Sequence, residues 1–292
     1  MALRGFVSPL WAGQNDASLC LPQGHLALAA GHIKGFLPLL HTPAWALHCD
    51  LHGNLATQQH LTSEATLLPH AVKVLDLGPQ VHPHLTPPTG WTEVTRHTRQ
   101  VTLPIDGDLP LPKTRDKQAR RFAREGGQVA VELGNEGEAW RNVEVLHAES
   151  RDRKGLASHQ ERLATLLGRL AAEPWTFAVT ASNIQGEVVA SGGFVMLACG
   201  TCVYAFGGQV RSKDSGRASV AMLCQAMRHA QHMGATTFDF GGSQDTGVDK
   251  FYSEFGGVAV AMRRWVKAPA WFKWVFFGTW KAWTTASRVL DA

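Results

Sequence analysis

The stretch 236–257, Thr-Thr-Phe-Asp-Phe-Gly-Gly-Ser-Gln-Asp-Thr-Gly-Val-Asp-Lys-Phe-Tyr-Ser-Glu-Phe-Gly-Gly, leaves this chain the fewest ways to fold. A β-prone run over 236–240 breaks at Gly241-Gly242-Ser243, where two glycines let the backbone turn sharply and approach a ligand closely. In the segment that follows, Phe251 and Phe255 are four residues apart and share one helical face. Gly256-Gly257 then stops the turn, and strand character resumes over 258–262. The order is strand, glycine loop, short helix, glycine stop, strand.

The preceding residues extend this pattern. A strand over 129–133 is followed by amphipathic helices over 136–151 and 157–172, then by strands over 175–181, 187–198 and 201–206. A helix over 215–233 carries Val220, Leu223, Cys224, Met227 and Ala230 on one side, with Gly234 as its stop. The expectation is an α/β (α+β) chain whose mixed, mostly antiparallel central sheet is flanked by helices. Residues 1–110 are rich in His, Pro and Leu, with apolar runs at 26–30, 33–40, 46–49 and 72–77 and a helix over 55–68 ended by Pro69. They read as a smaller α/β unit. Ten of the fourteen histidines fall between His25 and His97, too scattered for a metal site, and are expected to be solvated or hydrogen-bonded at the surface. The proline-rich run 103–112 marks the expected boundary, giving units 1–110 and 111–264 and a tail 265–292.

Charge is distributed unevenly. Lys113, Arg115, Lys117, Arg120, Arg121 and Arg124 crowd one segment relieved by Asp116 and Glu125, and their spacing puts several cations on one helical face. Such a face either is simply solvated or holds phosphate groups. Five cysteines, an odd number, argue for a reducing compartment rather than a disulfide framework. Cys199-Gly-Thr-Cys202 reads as a hairpin turn, with no second pair to complete a zinc site, and no metal is expected. No run of about 18 uncharged apolar residues exists, and the N-terminus shows no cleavage pattern, so the expected location is cytoplasmic, with peripheral contact at the inner face of the membrane as an option. That option rests on the tail, where Trp265, Trp271, Trp274, Trp280 and Trp283 mix with Phe272, Phe276, Phe277, Lys267, Lys273 and Lys281. An aromatic and basic helix of this kind lies at a membrane surface or packs back on the N-terminal unit; packing is the preferred reading.

The residues Phe238-Asp239-Phe240-Gly241-Gly242-Ser243 and Lys250-Phe251-Tyr252-Ser253-Glu254-Phe255-Gly256 resemble the C-terminal signature of the Fem-like (FemAB-type) branch of the GNAT acyltransferase superfamily. One position departs: the family's Lys after the first Phe is Tyr252 here, with Lys250 just ahead of the Phe. The basic run ending Phe-Ala-Arg-Glu-Gly-Gly is similar to the helix that opens the second domain of such proteins, and the order of strands and helices after Gln128 is the GNAT order. The resemblance implies tandem GNAT-like domains and transfer of an acyl or aminoacyl group, from acyl-coenzyme A or aminoacyl-tRNA, to a small-molecule or lipid-linked amine such as a peptidoglycan precursor. It places donor phosphates at the loop Arg211-Ser-Lys-Asp214-Ser215-Gly216-Arg217-Ala218, where helix N–H groups meet anions. Arg211 and Gly216 match the family loop; Asp214 stands where a glycine would be, and a carboxylate there repels a diphosphate. Candidate catalytic groups are Asp239, to orient the amine, and Tyr204 and Tyr252 as proton donors, with backbone donors from the strand edge 203–208. Gly241, Gly242, Ser243, Lys250, Phe251 and Phe255, with Lys117, Arg120 and Arg121, are the candidate substrate and phosphate contacts. A reading from another class is a catalytically silent GNAT-like scaffold that binds a nucleic acid, tRNA included, or a cell-wall precursor.

Overall fold

A computed structural model describes residues 4–12, 17–20, 26–134, 138–156, 159–242 and 245–284. In chain order its elements begin α1 (Pro9–Ala12), β1 (Ala17–Cys20), β2 (Ala27–Ile33), β3 (Leu37–His41), α2 (Leu55–Leu67), β4 (Val72–Leu77) and β5 (Thr92–Thr102). Next come α3 (Lys113–Arg124), β6 (Gln128–Glu132), α4 (Ala139–Asp152), α5 (Gln160–Ala171), β7 (Thr176–Ser182) and β8 (Val188–Met196). The chain closes with β9 (Thr201–Gln209), α6 (Ser215–His232), β10 (Thr237–Asp239), α7 (Thr246–Ser253), β11 (Val258–Lys267), α8 (Ala270–Val275) and α9 (Phe277–Thr284). It divides into two compact units, one taking the residues up to Thr98, Gly242–Asp245 and those from Val260 onward, the other Arg99–Gly241 and Thr246–Ala259.

The first unit holds strands in the order β1-β2-β3-β4-β11, antiparallel except for the parallel pair β3 and β4. Strand alternation sorts its side chains. Leu75 and Leu77 join Leu61 and Ala65 of α2, while Val72 and Val74 join Val266 and the buried rings Phe272 and Trp283 of α8 and α9. Helix α2 begins where the Asn54 side chain accepts the Thr57 N–H at 2.9 Å, and ends at an extended Leu68, as the following proline requires. The surface expected for the histidines does not hold for His41 and His48, which are both buried. His41 Nδ1 donates to the Thr42 carbonyl at 2.6 Å, and His48 Nδ1 accepts the Asp50 N–H at 3.1 Å, so each polar ring is satisfied inside. Buried Asp76 accepts from Arg264 at 2.8 and 2.9 Å and from Arg96 at 2.9 Å. Burial would raise its carboxyl, but the two guanidiniums reverse that and hold it below the usual carboxylate range.

The second unit runs β5-β10-β9-β8-β7-β6, antiparallel except where β10 lies parallel to β9. That parallel pair needs a crossover, and α6 supplies it, burying Ala218, Val220, Leu223, Cys224, Met227 and Ala230 on the face that the sequence spacing predicts. The β8 to β9 turn places Cys199 outside and Cys202 inside, with the Leu197 N–H on the Thr201 carbonyl at 2.8 Å. The proline-rich run 103–112 belongs to this unit. The Leu103 N–H reaches the Thr236 carbonyl at 2.9 Å, and the Gln231 amide donates to Pro104 and Gly107 at 3.0 Å, so the units part at Thr98.

Candidate active site

The second sheet contains a fork. Three-residue β10 pairs only with Thr201, Cys202 and Val203 of β9, so from Tyr204 to Gln209 the described strands give β9 no neighbour but β8. On that side the register slips: Gly193 pairs with Phe206 and Phe194 with Tyr204, leaving Ala205 as the extra residue of a bulge. The bulge turns Tyr204 so that its ring stacks on Phe194 at 5.2 Å and covers two glycines. A Cβ on Gly192 would come within 2.8 Å of that ring, and one on Gly207 would overlap its hydroxyl. The neighbouring glycines serve the other face. A Cβ on Gly193 would meet the Trp140 ring at 2.8 Å, and one on Gly208 would overlap the Leu146 carbonyl, because the main chain of α4 crosses the strand there.

At the tip of β10, buried Asp239 accepts the Gly241 N–H at 2.8 Å and the Gln100 amide at 2.7 Å. Gly241 and Gly242 have φ of 82° and 70°, the left-handed region that favours glycine, which explains why the loop carries both. Phe240 stacks on Tyr252 of α7 at 4.8 Å. Burial pushes the Tyr252 phenol well up, and Tyr204 and Asp239 push it further; burial alone raises Tyr204. Both tyrosines therefore stay neutral phenols at pH 7.

Helix α7 is held by two guanidiniums. Arg99 makes a two-pronged pair with Asp249 at 2.8 and 2.7 Å. Buried Arg115 of α3 pairs with Glu254, donates to the Phe251 carbonyl at 3.3 Å, and lies over the rings of Phe251 at 4.6 Å and Phe255 at 4.9 Å. This corrects the expectation of ligand contact for Phe255. Phe255 is fully enclosed and packs beneath α7, while Phe251 is half-buried with Arg115 over its ring. Lys250 is exposed on α7, and Ser243 lies outside the described residues.

At the loop before α6, Arg211 is exposed, while Asp214 occupies the cap position without capping: its carboxylate pairs with Arg217 at 2.8 Å. Arg217 also pairs with Glu125, so one guanidinium is shared between two carboxylates. Ser215 is the first helical residue, and its hydroxyl turns back to the Ser212 carbonyl at 2.8 Å rather than towards a ligand. Ala218 is buried and gives its N–H to the Asp214 main-chain carbonyl at 2.9 Å, as a regular helix requires. Gly216 differs: a Cβ there would meet nothing within 4 Å, so no neighbour in the protein requires a glycine. On α3, Arg120 pairs with Asp116 at 2.9 Å and Arg121 with Glu125 at 2.7 Å, both in the open, and Lys117 is exposed.

His147 of α4 went unread in the sequence. Its Nδ1 lies 3.2 Å from the Gly207 nitrogen and accepts that N–H, taking one of the backbone donors expected from the strand edge. Burial, with Arg151 and Lys154 nearby, lowers its pKa to about 4, so the ring is neutral at pH 7. Its Nε2 is enclosed with no hydrogen-bond partner among the described residues. The legible signal was the pair of glycine doublets, Gly192-Gly193 and Gly207-Gly208, inside two β-like runs.

Residues 113–252 match the family model described as an acetyltransferase (GNAT) domain. A search of curated proteins finds no match. Among solved structures, FemX aligns at 12% identity and a TM-score of 0.66, covering 92% of this chain and 93% of its own. The C-terminal domain of a putative lysylphosphatidylglycerol synthetase from Agrobacterium fabrum aligns at 11% identity and a TM-score of 0.63, covering 98% and 95%. L-PGS from Bacillus licheniformis aligns at 12% identity and a TM-score of 0.61, covering 93% and 90%. At such identities these structures speak for the fold. Residues 113–252 match a GNAT acetyltransferase domain, and the chain as a whole shares its fold with FemX.

Proposed function

We propose that this protein transfers an acyl or aminoacyl group to an amine, with the reacting carbonyl at the fork between β9 and β10. The observation that carries the reading is the geometry of that fork: β9 lies open from Tyr204 onward, Asp239 ends β10, and Tyr252 stacks on the next residue, Phe240. The amine nitrogen attacks the carbonyl carbon, the bond to the leaving sulfur or oxygen breaks, the nitrogen gives up one proton to solvent, and the leaving atom takes up one, so that the protein ends the cycle in its starting protonation state. Tyr252, on the short helix that follows β10, holds a proton at neutral pH and is assigned to donate it or a hydrogen bond to that atom. Asp239 positions the Gly241 turn through its two hydrogen bonds and supplies a fixed negative charge beside the incoming amine.

The donor is a coenzyme A thioester or an aminoacyl-tRNA. Gly216 and the first turn of α6 suit a phosphate that approaches the main chain closely, with exposed Arg211 beside it. Pairing with Arg217, which Asp214 shares with Glu125, lessens the repulsion that Asp214 alone would exert on a diphosphate. The kinship in fold with FemX and with lysylphosphatidylglycerol synthetases favours an amine or hydroxyl acceptor on a cell-wall precursor or a lipid; among these the amine is our assignment.

Thermal stabilisation by coenzyme A, acetyl-coenzyme A, charged tRNA and a muropeptide precursor tests donor and acceptor, since a ligand of the folded state raises the midpoint with occupancy. Turnover is then measured with the stabilising pair. Tyr252→Phe should lower kcat by about 10²-fold while the ligand still stabilises the fold. Binding without turnover in the unaltered protein would replace transfer by the scaffold reading.

A further inference from the structure

The second half of the aromatic tail faces two ways. In α8 and α9, Phe272 and Trp283 are buried against Leu37, Leu39, Val72, Val74 and Val266 of the first unit's sheet, so the tail packs there. Trp271, Trp274 and Val275 are related by three and four residues and form the opposite face of α8. They are 47, 84 and 68% exposed, and Phe277 is 60% exposed. The turn between β2 and β3 adjoins this surface: the Lys34 ammonium lies 5.3 Å from the Phe276 ring, and Phe36, at that turn, is 64% exposed. Five large apolar side chains in water from two neighbouring segments go beyond the scattered exposure that monomers tolerate.

Charge identifies what covers them. From 255 to 290 the chain has no Asp or Glu, while Lys267, Lys273 and Lys281 punctuate the aromatic run and Lys34 joins from the hairpin. Lys273 lies 4.5 Å over the Trp280 ring, with an aliphatic stem along the apolar surface and its charge at the edge. A protein partner would need acidic residues set among apolar ones. An anionic lipid surface offers both at once, headgroup charge for the lysines and an acyl boundary for indole and phenyl rings. The described helices include none long and apolar enough to cross a membrane, so this contact lies on the bilayer. We infer that Trp271, Trp274, Val275, Phe277 and Phe36, ringed by Lys34, Lys273 and Lys281, form an interfacial site that seats the first unit on an anionic bilayer. The inference is independent of the transferase reading and uses none of the residues assigned to that chemistry.

Flotation of the purified full chain with vesicles tests it, using phosphatidylcholine alone and phosphatidylcholine with phosphatidylglycerol. Binding is expected to the mixed vesicles and to weaken with salt. Trp274→Ser with Phe277→Ser should lower the partition constant at least about tenfold. Phe36→Ser, on the other segment, should lower it about threefold without touching the tail, which keeps the test informative if tail variants fold poorly. Lys273→Gln with Lys281→Gln should remove the preference for anionic vesicles. Absent binding to either vesicle, or binding unchanged by all three variants, overturns the site. So does a concentration-dependent dimer that Trp274→Ser dissolves, because the face would then be a contact between copies.

Discussion

Around β4 and β11 the first unit encloses Lys73, Asp76 and Arg264, whereas around β8 and β9 the second unit sets Gly192, Gly193, Gly207 and Gly208. A buried charge fixes its surroundings, because every displaced partner leaves an uncompensated ion in a poor solvent. A glycine does the reverse and gives up side-chain volume so that something else can come close. In the second unit that is the Tyr204 ring on one face and the α4 main chain on the other. The sheet that holds shape by charge carries no candidate chemistry, and the sheet that makes room carries all of it.

The sharpest break in this contrast is Asp76→Ala. It strands Arg264 and Arg96 inside the first unit and should cost about 3–5 kcal/mol, read as a lower urea midpoint. Gly208→Ala should cost about 3 kcal/mol by forcing β9 from α4, while Gly216→Ala, with open space around it, should leave stability almost unchanged and instead weaken donor binding. His147 gives a pH test. Its folded pKa, about 4, lies below the ordinary 6.5, so the unfolded chain binds its proton first as pH falls. Its contribution is thus intact above about pH 6.5 and declines to a loss of about 3 kcal/mol near pH 4. His147→Asn should flatten the difference in urea stability between those two pH values. The smallest effect belongs to Arg121→Ala, which removes an exposed pair with Glu125 and should cost about 0.5 kcal/mol or less.

Much of the second unit was legible because its periodicities are local. The face of α6, the strand ending at Asp239 and the short helix carrying Phe251 follow from spacing, and the glycines at 241 and 242 from the turn they must make. Strand β5 was not legible: Thr-Glu-Val-Thr-Arg-His-Thr-Arg-Gln-Val-Thr alternates polar with polar, and only partners distant in sequence make it a strand. The same reason hid Arg99, Gln100 and Arg115. Their partners Asp249, Asp239 and Glu254 lie more than a hundred residues away, so a side chain that looks like free surface charge is a clasp. Phe251 and Phe255 showed the converse, since spacing gave their face correctly but could not say that Arg115 covers it.

The chain contains only two tyrosines, and both stand at the fork. Phenolate formation changes near-ultraviolet absorbance, so an alkaline titration of the whole protein observes this one location, without labels and without interference from its ten tryptophans' ionisation, since indole does not titrate there. With both phenols raised by burial, the native protein should show no phenolate step at ordinary tyrosine pH, and a step should appear with unfolding. The fork thus carries its own optical reporter of unfolding, whose step a bound donor or acceptor would move to higher pH.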